Sequence, residues 1–158
     1  MKKIIKYIAV TLCVIIILGI SGTAIGAYIQ GGIDKYSLPD NFDSAMQQID
    51  NTKQNDEVRI MTSNLLVHYK SWGGSDARPR AKMFFETVST YQPDVIGVQE
   101  VSGQWFNCLM RNKGNYEMLY SFSTGALMRM TALMYNSETL TLIDKGQIAY
   151  EQGNDSRL

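Results

Sequence analysis

The sequence predicts an α/β (α+β) domain standing behind one N-terminal transmembrane helix. Three observations lead there. A charge-free apolar run follows a cluster of lysines at the N terminus, two strand-length apolar runs flank an amphipathic helical stretch, and further strand patterns follow a second helical one.

Lys2, Lys3 and Lys6 precede a stretch from Tyr7 to Ile33 that carries no charge. As a helix, Tyr7 to Ile29 would extend about 34 Å at roughly 1.5 Å per residue, enough for a hydrocarbon core of about 30 Å. The lysines belong on the cytoplasmic side, which places the rest of the chain outside. The competing reading is a cleaved signal peptide, in which Tyr7 to Ile20 is the apolar region and Ala24-Ile25-Gly26 offers small residues for cleavage. Either way residues 1–33 form a basic tip followed by a membrane segment or signal anchor, and the protein is either single-pass in the cell membrane or secreted.

Residues 34–56 read as a linker, because from Gly31 to Asp56 the composition turns to Gly, Asp, Asn, Gln and Ser, with one short helix around Ser44 to Ile49. Glu57 to Leu66 is the first strand. Ser75 or Asp76 caps a helix over Arg78 to Tyr91, with Pro79 in its first turn and Phe84, Val88 and Tyr91 on its apolar face. Val95 to Val98 is a short continuous apolar run, as in a strand buried on both faces. Strand, helix and strand in this order form a βαβ unit, so the two strands are expected parallel. A helix over Ser102 to Arg111 and a strand over Tyr116 to Phe122 follow. Asn136-Ser137-Glu138 then separates Thr131 to Tyr135 from Thr139 to Ile143, which predicts a hairpin.

Charge and cysteines exclude some functions. All 15 acidic residues lie beyond Ile33, whereas Lys2, Lys3 and Lys6 are three of the 15 basic ones, so the folded part is mildly acidic. It carries no electrostatic signature of nucleic-acid binding. Cys13 sits in the apolar run, which leaves Cys108 without an intrachain partner and excludes a disulfide framework or zinc cluster. Beside Trp105, Phe106, Leu109 and Met110, Cys108 reads as a small buried hydrophobe. His68, the single histidine, reads as a loop residue. Trp72-Gly73-Gly74 reads as an aromatic packed beside a turn, and Arg78, Arg80 and Lys82 as a solvated helix start.

Two residues carry candidate chemistry. Asn64 stands near the end of the first strand and Glu100 closely follows the second. Parallel strands open at the same edge, where α/β folds bind ligands. A carboxylate and a carboxamide there supply the hard oxygens that suit Mg²⁺, which takes one or two protein carboxylates and fills its octahedron with water and phosphate. Geometry alone leaves open that both are ordinary loop residues.

Met61-Thr62-Ser63-Asn64-Leu65-Leu66 resembles the opening strand of the endonuclease/exonuclease/phosphatase superfamily of metal-dependent phosphoesterases. Pro93-Asp94-Val95-Ile96-Gly97-Val98-Gln99-Glu100 is similar to its second hallmark, and residues 132–135 and 140–143 resemble its central hairpin. The likeness covers Val58 to Leu158. It implies a four-layer α/β/β/α sandwich of which residues 57–158 supply the first half, an incomplete domain with the inner sheet face uncovered. It also implies that Glu100 holds Mg²⁺, or Mn²⁺ in its place, that Asn64 organises metal and phosphate, and that Gln99 supports them. Arg157 is matched to a residue that binds substrate phosphate. The expected substrates are phosphoesters: a nucleic acid, a phospholipid headgroup or a sugar phosphate.

Members of the superfamily also carry a Gly-Asp-x-Asn motif and a terminal Ser-Asp-His motif, and neither string occurs in this sequence. The expectation is therefore a hydrolase of which this chain is a fragment, inactive by itself. The alternative is a non-enzymatic, membrane-anchored interaction protein that keeps half the fold. No protein partner follows from the sequence.

Overall fold

The computed structural model describes residues 2–46, 52–54, 56–69, 73–120 and 130–146. Helix α1 spans Lys2–Gly31 without interruption. Its Thr11–Gly31 stretch, whose most apolar 18 residues have mean hydropathy 2.3, is long and apolar enough to cross a membrane, as an anchor or a signal sequence would be. A five-residue helix α2, Phe42–Met46, lies in the segment read as a linker and overlaps the expected helix at residues 44–46; residues 47–49 of that expectation lie outside the described residues.

The domain proper consists of β1 (Ile60–Asn64), α3 (Ala77–Tyr91), β2 (Val95–Val101), α4 (Gly103–Asn112), β3 (Tyr116–Leu119) and β4 (Met130–Asn136). Strands β1 and β2 pair in parallel with Ile60 opposite Val95 and Asn64 opposite Gln99, joined by α3 as the βαβ spacing requires. Helix α3 starts where Asp76 accepts the Arg78 backbone N–H and ends at Gln92 in the left-handed conformation. Its buried residues Ala77, Ala81, Phe84 and Val88 recur at helical spacing.

Strand order is β1-β2-β4-β3, with β4 antiparallel to both β2 and β3. This arrangement overturns the expected hairpin over residues 131–143. Both edges of β4 are already occupied, so no edge remains for a returning strand. The chain turns after Asn136, whose carbonyl accepts the N–H groups of Thr139 and Leu140, and residues 140–146 form no strand.

Helices α3 and α4 cover one face of the sheet. Ile96, Val98, Val101 and Met134 are fully buried beneath them with Trp105 and Leu109, each such side chain stabilising the fold by about 1.5–3 kcal/mol. The opposite face carries Ile60, Thr62, Gly97, Gln99, Thr131 and Leu133 and has no covering layer among the described residues; Ile60 is 77% exposed.

The segment read as a linker is partly structural. Tyr36 donates to Asp76 and Lys53 pairs with Asp94 at 2.7 Å, while Ile33, just before the segment, belongs to the core cluster. Asp94, only 3% exposed, also accepts the Arg59 N–H and the Thr139 hydroxyl. It thereby ties the start of β2 to the approach to β1 and to the turn after β4.

Candidate functional site

The carboxyl ends of β1 and β2 meet at one edge, and the two predicted residues meet there as well. Asn64 closes β1 in register with Gln99, and the ladder runs one step further through the Leu65 N–H to the Gln99 carbonyl. Strand β2 then bulges between Val98 and Val101. Within the bulge Glu100 takes φ 57°, a left-handed conformation unfavourable for a residue with a Cβ. Bulges of this kind re-aim a side chain, and here the Glu100 carboxylate reaches across to β1.

Glu100 Oε1 accepts Asn64 Nδ2 at 3.3 Å, and Oε2 accepts the Val67 N–H at 3.2 Å. Asn64 Oδ1 accepts the Leu66 N–H at 3.0 Å. The carboxamide nitrogen is therefore the end turned to the carboxylate, which makes orientation of Glu100 the contact Asn64 makes in this structure. No basic side chain pairs with Glu100 among the described residues. Gln99 extends over the uncovered sheet face, where its Nε2 donates to Thr62 Oγ1 at 3.1 Å.

The loop after β1 is held from below. Leu65 and Val67 plug into the core while Leu66 points outward with φ 52°. Arg80 gathers the carbonyls of that loop: one guanidinium nitrogen donates to Leu65 O and to Leu66 O, the latter at 2.7 Å, and the other to Val67 O at 3.3 Å and Ser75 O at 2.7 Å. Trp105 Nε1 donates to Leu66 O at 2.9 Å, and the Arg80 guanidinium lies over the Trp105 ring, 5.2 Å from its centroid. Arg80 is thus a structural group, which corrects its reading as part of a solvated helix start. Arg78 is likewise engaged, with Asp76 at 2.6 Å. Gly74 closes the loop against Val67, whose carbonyl oxygen would lie 1.8 Å from any Cβ added there.

His68 is also locked in place. Its N–H donates to the fully buried Ser102 Oγ at 3.2 Å, and its Nδ1 lies 2.6 Å from the same oxygen. Burial, then the Arg80 charge, lowers its pKa below the ordinary imidazole value. Arg157 and Trp72 lie outside the described residues.

Among the described residues the donor set at this edge is one carboxylate beside one carboxamide. No group of three or more His, Cys, Asp or Glu side chains converges among the described residues, so there is no protein cage of the zinc type. One carboxylate with free lone pairs beside a carboxamide fits Mg²⁺ or Mn²⁺ completing its shell with water and phosphate. A hollow of about 510 Å³ lies elsewhere, between Leu119, Tyr120, Leu133 and Lys145 on the uncovered side. It contains no carboxylate.

Arg80, Ser102 and Trp105 are the residues that sequence reasoning missed. A signal for Arg80 was present: it falls on the stripe formed by Ala77, Ala81, Phe84 and Val88, where a charged residue must find buried acceptors.

Comparison with protein-family models, with curated proteins and with solved structures found no match for this chain.

Proposed function

We propose that the chain carries the metal-binding part of a Mg²⁺-dependent phosphoester hydrolase of the endonuclease/exonuclease/phosphatase class, anchored by α1 with its domain on the outer side of the cell membrane. The observation that supports this most is the contact of Asn64 with Glu100 at 3.3 Å on the ligand-binding edge of a parallel strand pair, with Glu100 held in a left-handed bulge. Strained residues of this kind persist where surrounding contacts over-determine them, and they concentrate at functional sites.

In this reading Glu100 holds the cation, and Asn64 and the Val67 N–H fix the carboxylate's direction. Asn64 also orients the phosphate or its water, and Arg157 neutralises a phosphate oxygen. Bound at this edge, Mg²⁺ supplies Lewis-acid polarisation of a phosphoryl oxygen. The uncovered sheet face is where the second half of a four-layer sandwich would pack, and the Gly-Asp-x-Asn and Ser-Asp-His groups would come from that half.

The test is Mg²⁺-dependent hydrolysis by the full-length protein, offered nucleic acid, phospholipid headgroups and generic phosphodiesters. Glu100→Ala should lower the rate by about 100-fold or more, given that even residues supporting a metal's ligands typically contribute 10–100-fold. An unchanged rate would remove the reading.

A second reading is favoured by one observation. The uncovered face, with Ile60 and Leu133 exposed, suits a non-enzymatic protein that pairs through its sheet. Coding sequence that continues past Leu158 with the two further motifs selects the hydrolase, and a stop codon there selects the interaction protein.

A further inference from the structure

The last carbonyls of an α-helix have no partner within it, and its C-terminal end is negative. Helix α1 has no basic residue in its last turn, yet its end is satisfied, because α4 supplies the missing groups. Arg111 donates to Tyr28 O at 2.6 Å, Asn112 Nδ2 to Gly31 O at 3.0 Å, and the Cys108 thiol to Gln30 O at 3.6 Å. Asn107 Nδ2 bonds Gln30 Oε1 at 2.9 Å. The Arg111 guanidinium also stacks on the Tyr28 ring, 3.6 Å from its centroid, and pairs with Asp34.

Residues 107, 108, 111 and 112 lie on one face of α4 by helical spacing. Glycine lets this face come close. A Cβ on Gly31 would stand 2.6 Å from the Asn107 carbonyl oxygen, and that backbone atom has no freedom to yield.

The contacts set the height of α4 above the bilayer. If α1 spans the membrane through its Thr11–Gly31 stretch, residues 28–31 stand within about one turn, or 5.4 Å, of the hydrocarbon boundary. The headgroup layer on each side is about 5–7 Å deep. Residues of α4 bonded to this turn therefore lie in that layer. The composition agrees: residues 103–113 contain no acid, Arg111 and Lys113 are basic, Met110 is 39% exposed, and the exposed Tyr28 is of the type enriched at membrane interfaces.

We infer that the C-terminal turn of α4 is a lipid-contacting surface, held in the headgroup layer by a fixed joint with residues 28–31. This rests on the reading of α1 as a retained anchor and is independent of the hydrolase assignment. The domain then rides on the bilayer at a set height instead of swinging on a tether.

The test uses the full chain carrying Cys13→Ser, reconstituted in phosphatidylcholine and phosphatidylglycerol vesicles, with a fluorophore on Met110→Cys or on Ile20→Cys. Headgroup-spin-labelled lipid should quench the label at position 110, and acyl-chain-spin-labelled lipid the label at position 20. Gly31→Leu should reduce quenching at 110 several-fold and leave 20 unchanged, and Arg111→Gln with Asn112→Ala should act the same way. A label at 110 that stays unquenched while 20 is quenched overturns the surface and leaves the anchor standing. Quenching at 110 that survives both joint variants overturns the fixed joint. No quenching at 20 removes the anchor, and the surface with it.

Discussion

Asp94→Asn is the perturbation whose size the structure specifies best. The Asp94 carboxylate is 3% exposed, and burial alone would raise its pKa. Lys53, the Arg59 N–H and the Thr139 hydroxyl outweigh that and bring it down to about 2 from 3.8. A depression of that size corresponds to on the order of 2 kcal/mol of stability at neutral pH, at roughly 1.4 kcal/mol per unit. The folded value lies below the unfolded one. The contribution is therefore complete above about pH 5 and disappears as pH falls through 4 toward 2. The asparagine removes the charge and turns an N–H₂ toward donors that now lack an acceptor. Denaturant unfolding of the full chain in mild detergent, followed by near-ultraviolet circular dichroism, should show Asp94→Asn weaker by about 2–3 kcal/mol at pH 7. Its stability should fall less steeply than that of wild type between pH 5 and pH 2. Equal acid slopes in the two proteins would refute the assignment.

Arg80→Met should cost on the order of 3 kcal/mol by leaving four loop carbonyls without their charged donor, and it should weaken cation binding at Glu100 by loosening the loop that presents the Val67 N–H; a two-state melt with a cation titration reads both. Ile33→Ala should cost about 2–4 kcal/mol as a core truncation, whereas the same change at a residue outside the core would register almost nothing in the same melt. Burial pushes the Cys108 thiol up to about 11, so maleimide should modify it in denaturant and leave it untouched in the folded protein at pH 7. His68 should titrate below the ordinary imidazole range by NMR, and Ser102→Ala should move it. Because the folded value is the lower one, the stability tied to neutral His68 is lost as pH falls through the imidazole range.

Much of the frame was legible because it rests on local periodicity. The recurrence of Phe84 and Val88, a cap at Ser75 or Asp76, and the apolar runs over Glu57 to Leu66 and from Val95 gave α3, β1 and its parallel partner β2 from local pattern. The meeting of Asn64 with Glu100 followed from that topology. What stayed hidden depends on contacts between distant segments. The bulge that turns Glu100 left-handed arises where β2 pairs on both sides at once. The expected hairpin failed because β3 had taken the edge of β4 that residues 139–143 would have used. Composition marked residues 34–56 as a spacer, yet Tyr36 and Lys53 within it find partners on the domain, as does Ile33 just before it. No local pattern announces such contacts.

The claim beneath the functional reading is that Glu100 grips a divalent cation with Asn64 at its side. Titration of the full-length protein with Mn²⁺, followed by electron paramagnetic resonance and competed with Mg²⁺, tests it without a substrate. The account predicts one Mg²⁺-displaceable Mn²⁺ site that disappears in Glu100→Ala and weakens about 10–100-fold in Asn64→Ala, the range seen when a ligand's supporting partner is removed. Identical Mn²⁺ binding in wild type and Glu100→Ala would contradict it.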